Sequence, residues 1–148
     1  MYQGIFNITV NTFRPVGGVV PIDAFFTLDP ASSPIFSLVG ETIRITRPAS
    51  DRTPVEIVFK LHNPDLLLLG IAFSNGRPGL GHNEFPVVLL QPEDVPSKGP
   101  HGAYRKMTVQ DAGKLPAELY RYNFILLLQS LQTGEMGIID PGIQTDST

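Results

Sequence analysis

The sequence predicts an all-β chain folded as an antiparallel two-sheet β-sandwich. Three observations carry that prediction. Apolar and polar residues alternate with period two through several short segments, the spacing of half-buried strands. Glycine and proline, 14 of each among 148 residues, punctuate those segments at short intervals. The two long apolar runs also favour strand over helix. Leu66 to Phe73 is short and bounded by Pro64 and Gly76, and Leu119 to Leu131 follows Pro116 and is rich in Tyr, Phe and Ile.

The elements follow in chain order. Gln3 to Val10 is a half-buried strand with Phe6, Ile8 and Val10 on its inner face. Phe13 to Asp29 is interrupted by Pro15, Gly17-Gly18 and Pro21, so it reads as an edge, a loop or two short strands, with Ala24 to Leu28 a candidate for one of them. Glu41 to Arg47 and Val55 to Leu61 both alternate cleanly, and the polar loop between them suits an antiparallel pair. Leu66–Phe73, Phe85–Leu90 and Tyr104–Val109 supply further strands. Leu119 to Leu131 holds the longest, and Thr133-Gly134 turns it into a short strand at Met136 to Ile139. Residues 142–148 are polar and expected to form a flexible tail of the single domain 1–148. About eight or nine strands at this spacing suit a Greek-key sandwich or barrel.

Composition removes several function classes. Without cysteine, disulfides, zinc–thiolate sites, iron–sulfur clusters and blue copper are excluded. The same absence favours the cytoplasm. A net charge of −3 is the wrong sign for a nucleic-acid binder. No apolar run approaches the roughly 20 residues of a membrane span, and the N-terminus lacks the pattern of a signal peptide. The 42% hydrophobic and 17% charged content argues against disorder.

The last third carries a resemblance. The Asp111-Ala112-Gly113 turn, the strand opening Leu119-Tyr120-Arg121-Tyr122, the Thr133-Gly134 hairpin and the closing Ile139-Asp140-Pro141-Gly142-Ile143 resemble the ends of bacterial immunoglobulin-like or cupredoxin-like sandwich domains. They are most similar to the bacterial DP-EP family, named for its Asp-Pro and Glu-Pro dipeptides. Asp140-Pro141 stands for the first dipeptide, while the chain has Pro92-Glu93 and no Glu-Pro. The resemblance implies an immunoglobulin-like or cupredoxin-like Greek key, with Asp140 and Pro141 structural. It also implies that Tyr120 or Tyr122 is a corner tyrosine bonded to backbone near Asp111 to Gly113. It brings no activity with it.

Candidate chemistry is sparse. His82 and Glu84 share a glycine-rich loop and His101 lies in another, so these three are the candidate metal or small-ligand residues. Their spacing matches no metal motif, and loops ordinarily collect such residues, so no cofactor is expected. No Gly-x-Ser-x-Gly elbow marks Ser74 or Ser97 as a nucleophile. A hydrolase is therefore the third reading, and no catalytic residue is assigned. Arg44, Arg47 and Arg52 read as a solvated group.

The strongest hint is apolar patterning on two faces. In the long strand, Tyr122, Phe124, Leu126 and Leu128 share one face, yet Ile125 and Leu127 occupy the other. In the Leu-rich run, Leu66 and Leu68 oppose Leu67, Leu69, Ile71 and Phe73. A sandwich strand hides one face, so Ile125, Leu127, Leu67, Leu69 and Ile71 need a cover. The cover is either a Pro-rich segment of the chain or a second subunit, and the second subunit is preferred. The leading expectation is a non-enzymatic interaction module forming a homo-oligomer, most simply a dimer, with another protein partner possible.

Overall fold

The computed structural model describes residues 1–13, 23–48, 50–74, 87–92, 104–110, 120–140 and 142–147. All regular structure in them is strand. The first six are β1 (Tyr2–Thr12), β2 (Asp23–Leu28), β3 (Phe36–Val39), β4 (Thr42–Arg47), β5 (Val55–Leu61) and β6 (Leu66–Ser74). There follow β7 (Val87–Pro92), β8 (Tyr104–Gln110), β9 (Tyr120–Ser130), β10 (Met136–Ile139) and β11 (Gly142–Ser147). Both long apolar runs are strands, as their composition predicts.

Hydrogen bonding joins these strands in two orders. One runs β2-β1-β5-β8-β7. The other runs β10-β9-β11-β4-β3, with β6 on the far side of β9. Alternation in β1 buries Gly4, Phe6, Ile8 and Val10 and leaves Gln3 and Asn11 in water. Beyond β2, side chains continue the β1 ladder. The Ser33 and Ser32 hydroxyls accept the Gln3 and Ile5 N–H groups at 3.0 and 2.9 Å. At the other end, Asn63 accepts from the Val10 N–H at 2.8 Å and donates to its carbonyl at 3.0 Å. Short polar side chains thus satisfy strand groups that would otherwise be unpaired.

Three expectations need correction. The pairing is not wholly antiparallel, because β1 with β5 and β4 with β11 are parallel. The expected hairpin between β4 and β5 does not form, and the two strands lie in different hydrogen-bonded orders. The edges of β4 are already taken: β3 returns to it through Gly40-Glu41, and β11 lies on its other side. Gly40, at φ +61°, suits that two-residue turn because it has no Cβ to clash. Third, residues 142–147 are not a frayed tail. They form β11, inserted between β9 and β4. Backbone groups bonded on both edges order this segment, a gain that its polar composition does not reveal.

β10 and β11 meet β9 in one register, Met136 opposite Gln129 and Thr145 opposite Tyr120. The ladder lapses between Ile139 and Gly142, where the sequence places Asp140-Pro141 and proline has no N–H to give. The reversal at Thr133-Gly134 matches its sequence signal. Gly134, at φ +74°, donates its N–H to the Ser130 carbonyl at 2.9 Å.

Buried residues from both strand orders form one cluster. A row of phenylalanines runs through it: Phe36 to Phe6 at 6.0 Å, Phe6 to Phe59 at 6.3 Å, Phe59 to Phe124 at 5.5 Å and Phe124 to Phe73 at 6.2 Å between ring centroids. The Phe36 ring lies directly over Gly4, and a Cβ there would stand 2.6 Å from it. By contrast, nothing lies within 4 Å of a Cβ built on Gly70.

Alanine in a strand normally gains over glycine. Gly4→Ala should instead cost about 1–3 kcal/mol, because the buried ring has to move. Gly70→Ala should stabilise by about 0.5 kcal/mol. Urea unfolding of both variants checks the opposite signs.

Candidate functional site

The site begins with a bulge. β6 pairs with β9 from Leu66 opposite Ser130 to Leu68 opposite Leu128, then resumes with Gly70 opposite Leu127. Leu69 is the additional residue, and it reverses the parity of everything after it. Leu66, Leu68 and Phe73 are all buried, and Ile71 packs against the same cluster. Strict alternation would place Phe73 and Ile71 on the face opposite Leu66 and Leu68, so that part of the expected grouping is corrected. The remaining members behave as the pattern predicts. Leu67 and Leu69 are half-buried, as are Ile125 and Leu127 on β9, whereas Phe124, Leu126 and Leu128 are buried.

The two ladders on β9 define rows across the face pointing away from the cluster. Gly70, Leu127 and Ile138 form one row; Leu67, Gln129 and Met136 form the next; Ala72 and Ile125 lie on the other side. Ile138 is half-buried between buried Gly137 and Ile139, and Met136 is exposed. None of these residues is charged. Gly70, Ile71, Ala72, Ile125 and Leu127 line an apolar hollow of about 210 Å³. Gly70 creates it by presenting no side chain. The contribution of β10 is absent from the sequence reading, although fixing the Thr133-Gly134 hairpin would have put Ile138 beside Leu127.

On the other strand order the outward face is closed only in its middle, while Phe25 of β2 is 47% exposed at its margin. Val58 of β5 and Thr108 of β8 are ladder partners pointing away from the phenylalanine row, and both are buried. The outer face of β6, β9 and β10 differs in keeping its aliphatic residues half-buried across several rows.

A polar cluster lies where the chain passes from β4 to β5. Inward alternation of Ile43, Ile45 and Arg47 carries the last side chain into the protein, so Arg47 is buried rather than part of a solvated group. Its Nη1 donates to the Thr53 carbonyl, while Nη2 is buried with no hydrogen-bond partner. Asp51 accepts from the Tyr2 hydroxyl at 2.7 Å and from the Thr53 N–H at 2.9 Å. Tyr2 also donates its N–H to the Pro54 carbonyl at 2.9 Å. Together these bonds tie the start of β1 to the loop before β5.

Most of the other expected site residues fall where the structure gives no description. His82, Glu84, His101 and Pro141 lie outside the described residues, as do Ser97 and the Asp111 to Gly113 turn. Tyr120 and Tyr122 occupy β9 at its pairing with β11. Asp140 is exposed at the end of β10. His62 is exposed, its Nε2–H donating to Asn7 Oδ1 at 2.8 Å. Among the described residues no group of three His, Asp or Glu could hold a metal ion. Among the same residues no helix is long and apolar enough to cross a membrane.

The Tyr2–Asp51 cluster has a pH signature. Hydrogen bonds from the Thr53 side chain, the Tyr2 hydroxyl and the Thr53 N–H, with Arg47 nearby, lower the Asp51 carboxyl to about 2. The hydrogen bond to Asp51 raises the Tyr2 phenol. Asp51 therefore adds stability above its unfolded value of 3.8, and that gain disappears as pH falls toward about 2. Tyr2 adds stability below 10, lost as pH rises through its higher folded value. Melting temperatures against pH should show both slopes in the native chain. Asp51→Asn should flatten the acid limb, and Tyr2→Phe should weaken both.

No family model matches the chain, and no match was found among curated proteins.

Proposed function

We propose that the chain is a non-enzymatic interaction module that self-associates through the outer face of β6, β9 and β10. Its architecture is read as a β-sandwich of immunoglobulin-like or cupredoxin-like Greek-key type, related to the DP-EP family. The phenylalanine row linking the two strand orders supports the stacked arrangement, and the lack of cysteine supports a cytoplasmic setting.

One observation carries the reading: an apolar patch of Leu67, Gly70, Ala72, Ile125, Leu127 and Ile138 with a hollow in it, turned away from the buried cluster. Monomers rarely leave large contiguous apolar patches in water, because each Å² so exposed costs about 25 cal/mol. A second copy of the chain is the simplest cover, since one surface then serves both partners.

Sedimentation of the native chain at micromolar concentration should show a species heavier than 16.2 kDa. Leu127→Glu and Ile125→Lys should shift it to the monomer while cooperative unfolding is retained. A native chain that sediments only as monomer overturns the proposal. So does stoichiometric metal in purified protein that is lost on replacing His82, with no association.

A further inference from the structure

The outer face of β1, β5 and β8 carries a row whose charges do not cancel. Ladder register sets Asn7 beside Lys60 and Lys60 beside Lys106. Each adjoins buried core residues, Phe6 and Ile8, Phe59 and Leu61, and Met107, so all three side chains point outward. Opposed residues on neighbouring strands stand about 5 Å apart at Cβ. Two ammonium groups therefore share one stretch of surface, in a chain whose net charge is −3. Like charges set directly opposite destabilise a sheet, whereas a carboxylate at either position would stabilise it. Among the described residues no carboxylate bonds to Lys60 or Lys106.

Two further features suit this row to an anion. The first is the Asn7 amide. His62 Nε2–H donates to Asn7 Oδ1 at 2.8 Å, which leaves the Asn7 Nδ2–H groups as the free end of the amide. From Asn7 to Lys106 the row thus offers donors only. The second is the surface beside it. At the next outward positions Val58 and Thr108 are buried, and Lys60 and Lys106 are themselves half-buried. Charge beside a dry surface is screened less than charge in open water, so an oxyanion gains more there.

We infer that Asn7, Lys60 and Lys106 form a binding site for a phosphate group. A phosphate oxygen between the two ammonium groups takes a charge-assisted hydrogen bond of about 2.8 Å from each, and two such bonds span their separation. Phosphate brings about two negative charges, enough to balance both lysines. A carboxylate brings one and leaves half of the repulsion in place. Two cations are too few to hold a nucleic acid on an acidic chain. The site lies on the strand order away from the apolar patch, so it stands apart from self-association.

Titration calorimetry of the native chain tests the site. Inorganic phosphate and glycerol 3-phosphate are compared, each against sodium chloride of equal ionic strength. Saturable binding of at least one at millimolar concentration is expected, and the tighter of the two tells a free ion from a phosphate ester. Lys60→Gln and Lys106→Gln should each weaken binding about ten-fold. Without phosphate neither variant should melt below the native chain, because each removes a repulsion. Lys106→Arg keeps the charge and should keep the binding. Heats that match sodium chloride for both ligands overturn the proposal, as does binding that both glutamine variants retain. Glutamine variants that lose binding but melt well below the native chain overturn it too, because the lysines then serve the fold.

Discussion

The close contact of Phe36 with Gly4 sets the geometry on which the rest of the core depends. A large flat ring from β3 occupies the space where β1 has no side chain. That placement brings Phe36 edge-on to Phe6 at an interplanar angle of 73°. Phe6 then meets Phe59, and Phe59 meets Phe124, so the aromatic row passes from one strand order to the other and back. Each ring buries a large apolar area, and edge or tilted contacts add to the gain. Because the row is continuous, a displacement at Gly4 is transmitted through rings that cannot bend. The aromatic row therefore starts from a residue with no side chain of its own.

Around this core the chain deals with unpaired backbone groups in two ways. Where strands run out, Ser32, Ser33 and Asn63 supply side-chain partners to β1. Where β4 leaves its neighbours, Arg47 and Asp51 brace the following loop and Tyr2 secures it from β1. The buried guanidinium is an expensive group to place there. Its cost is offset by the bond to the Thr53 carbonyl and by the nearby carboxylate of Asp51. Strand alternation explains why the charge is inside at all: Arg47 is the third inward position of β4, and the loop folds back to meet it.

Period-two patterning made most strands legible, because Phe6, Ile8 and Val10 or Ile57, Phe59 and Leu61 can share a buried face in no other regular structure. It could not reveal β3, whose four residues Phe36 to Val39 are too few to show a period. Nor could it reveal β11, where the ordering comes from backbone pairing on both edges. It misassigned Phe73 because a single inserted residue, Leu69, is invisible to a rule that counts in twos. Partner choice was also hidden. β4 and β5 both look like ordinary half-buried strands, and nothing in either says that the loop between them crosses from one order to the other. The apolar outer face was half legible. Ile125 and Leu127 were evident in their own strand, whereas Ile138 joins them only once the register of the β9–β10 hairpin is known.

The bulge at Leu69 links fold to proposed function. Without it, β6 could not place Leu68 and Phe73 on one core while holding register with Leu128 and Phe124. With it, Gly70 opposes Leu127 on the outer face, and the absence of a side chain there becomes a hollow. A strand that only had to cover a core would gain from alanine at that position, since an added methyl meets nothing within 4 Å. The position instead carries glycine, flanked by Ile71, Ala72, Ile125 and Leu127. The rows around it lack charge, so attraction between two such faces would come from apolar burial. Association of that kind should change little with salt, unlike docking steered by surface charge. The same glycine that concedes a little strand stability thus leaves the outer face shaped to receive a side chain from outside.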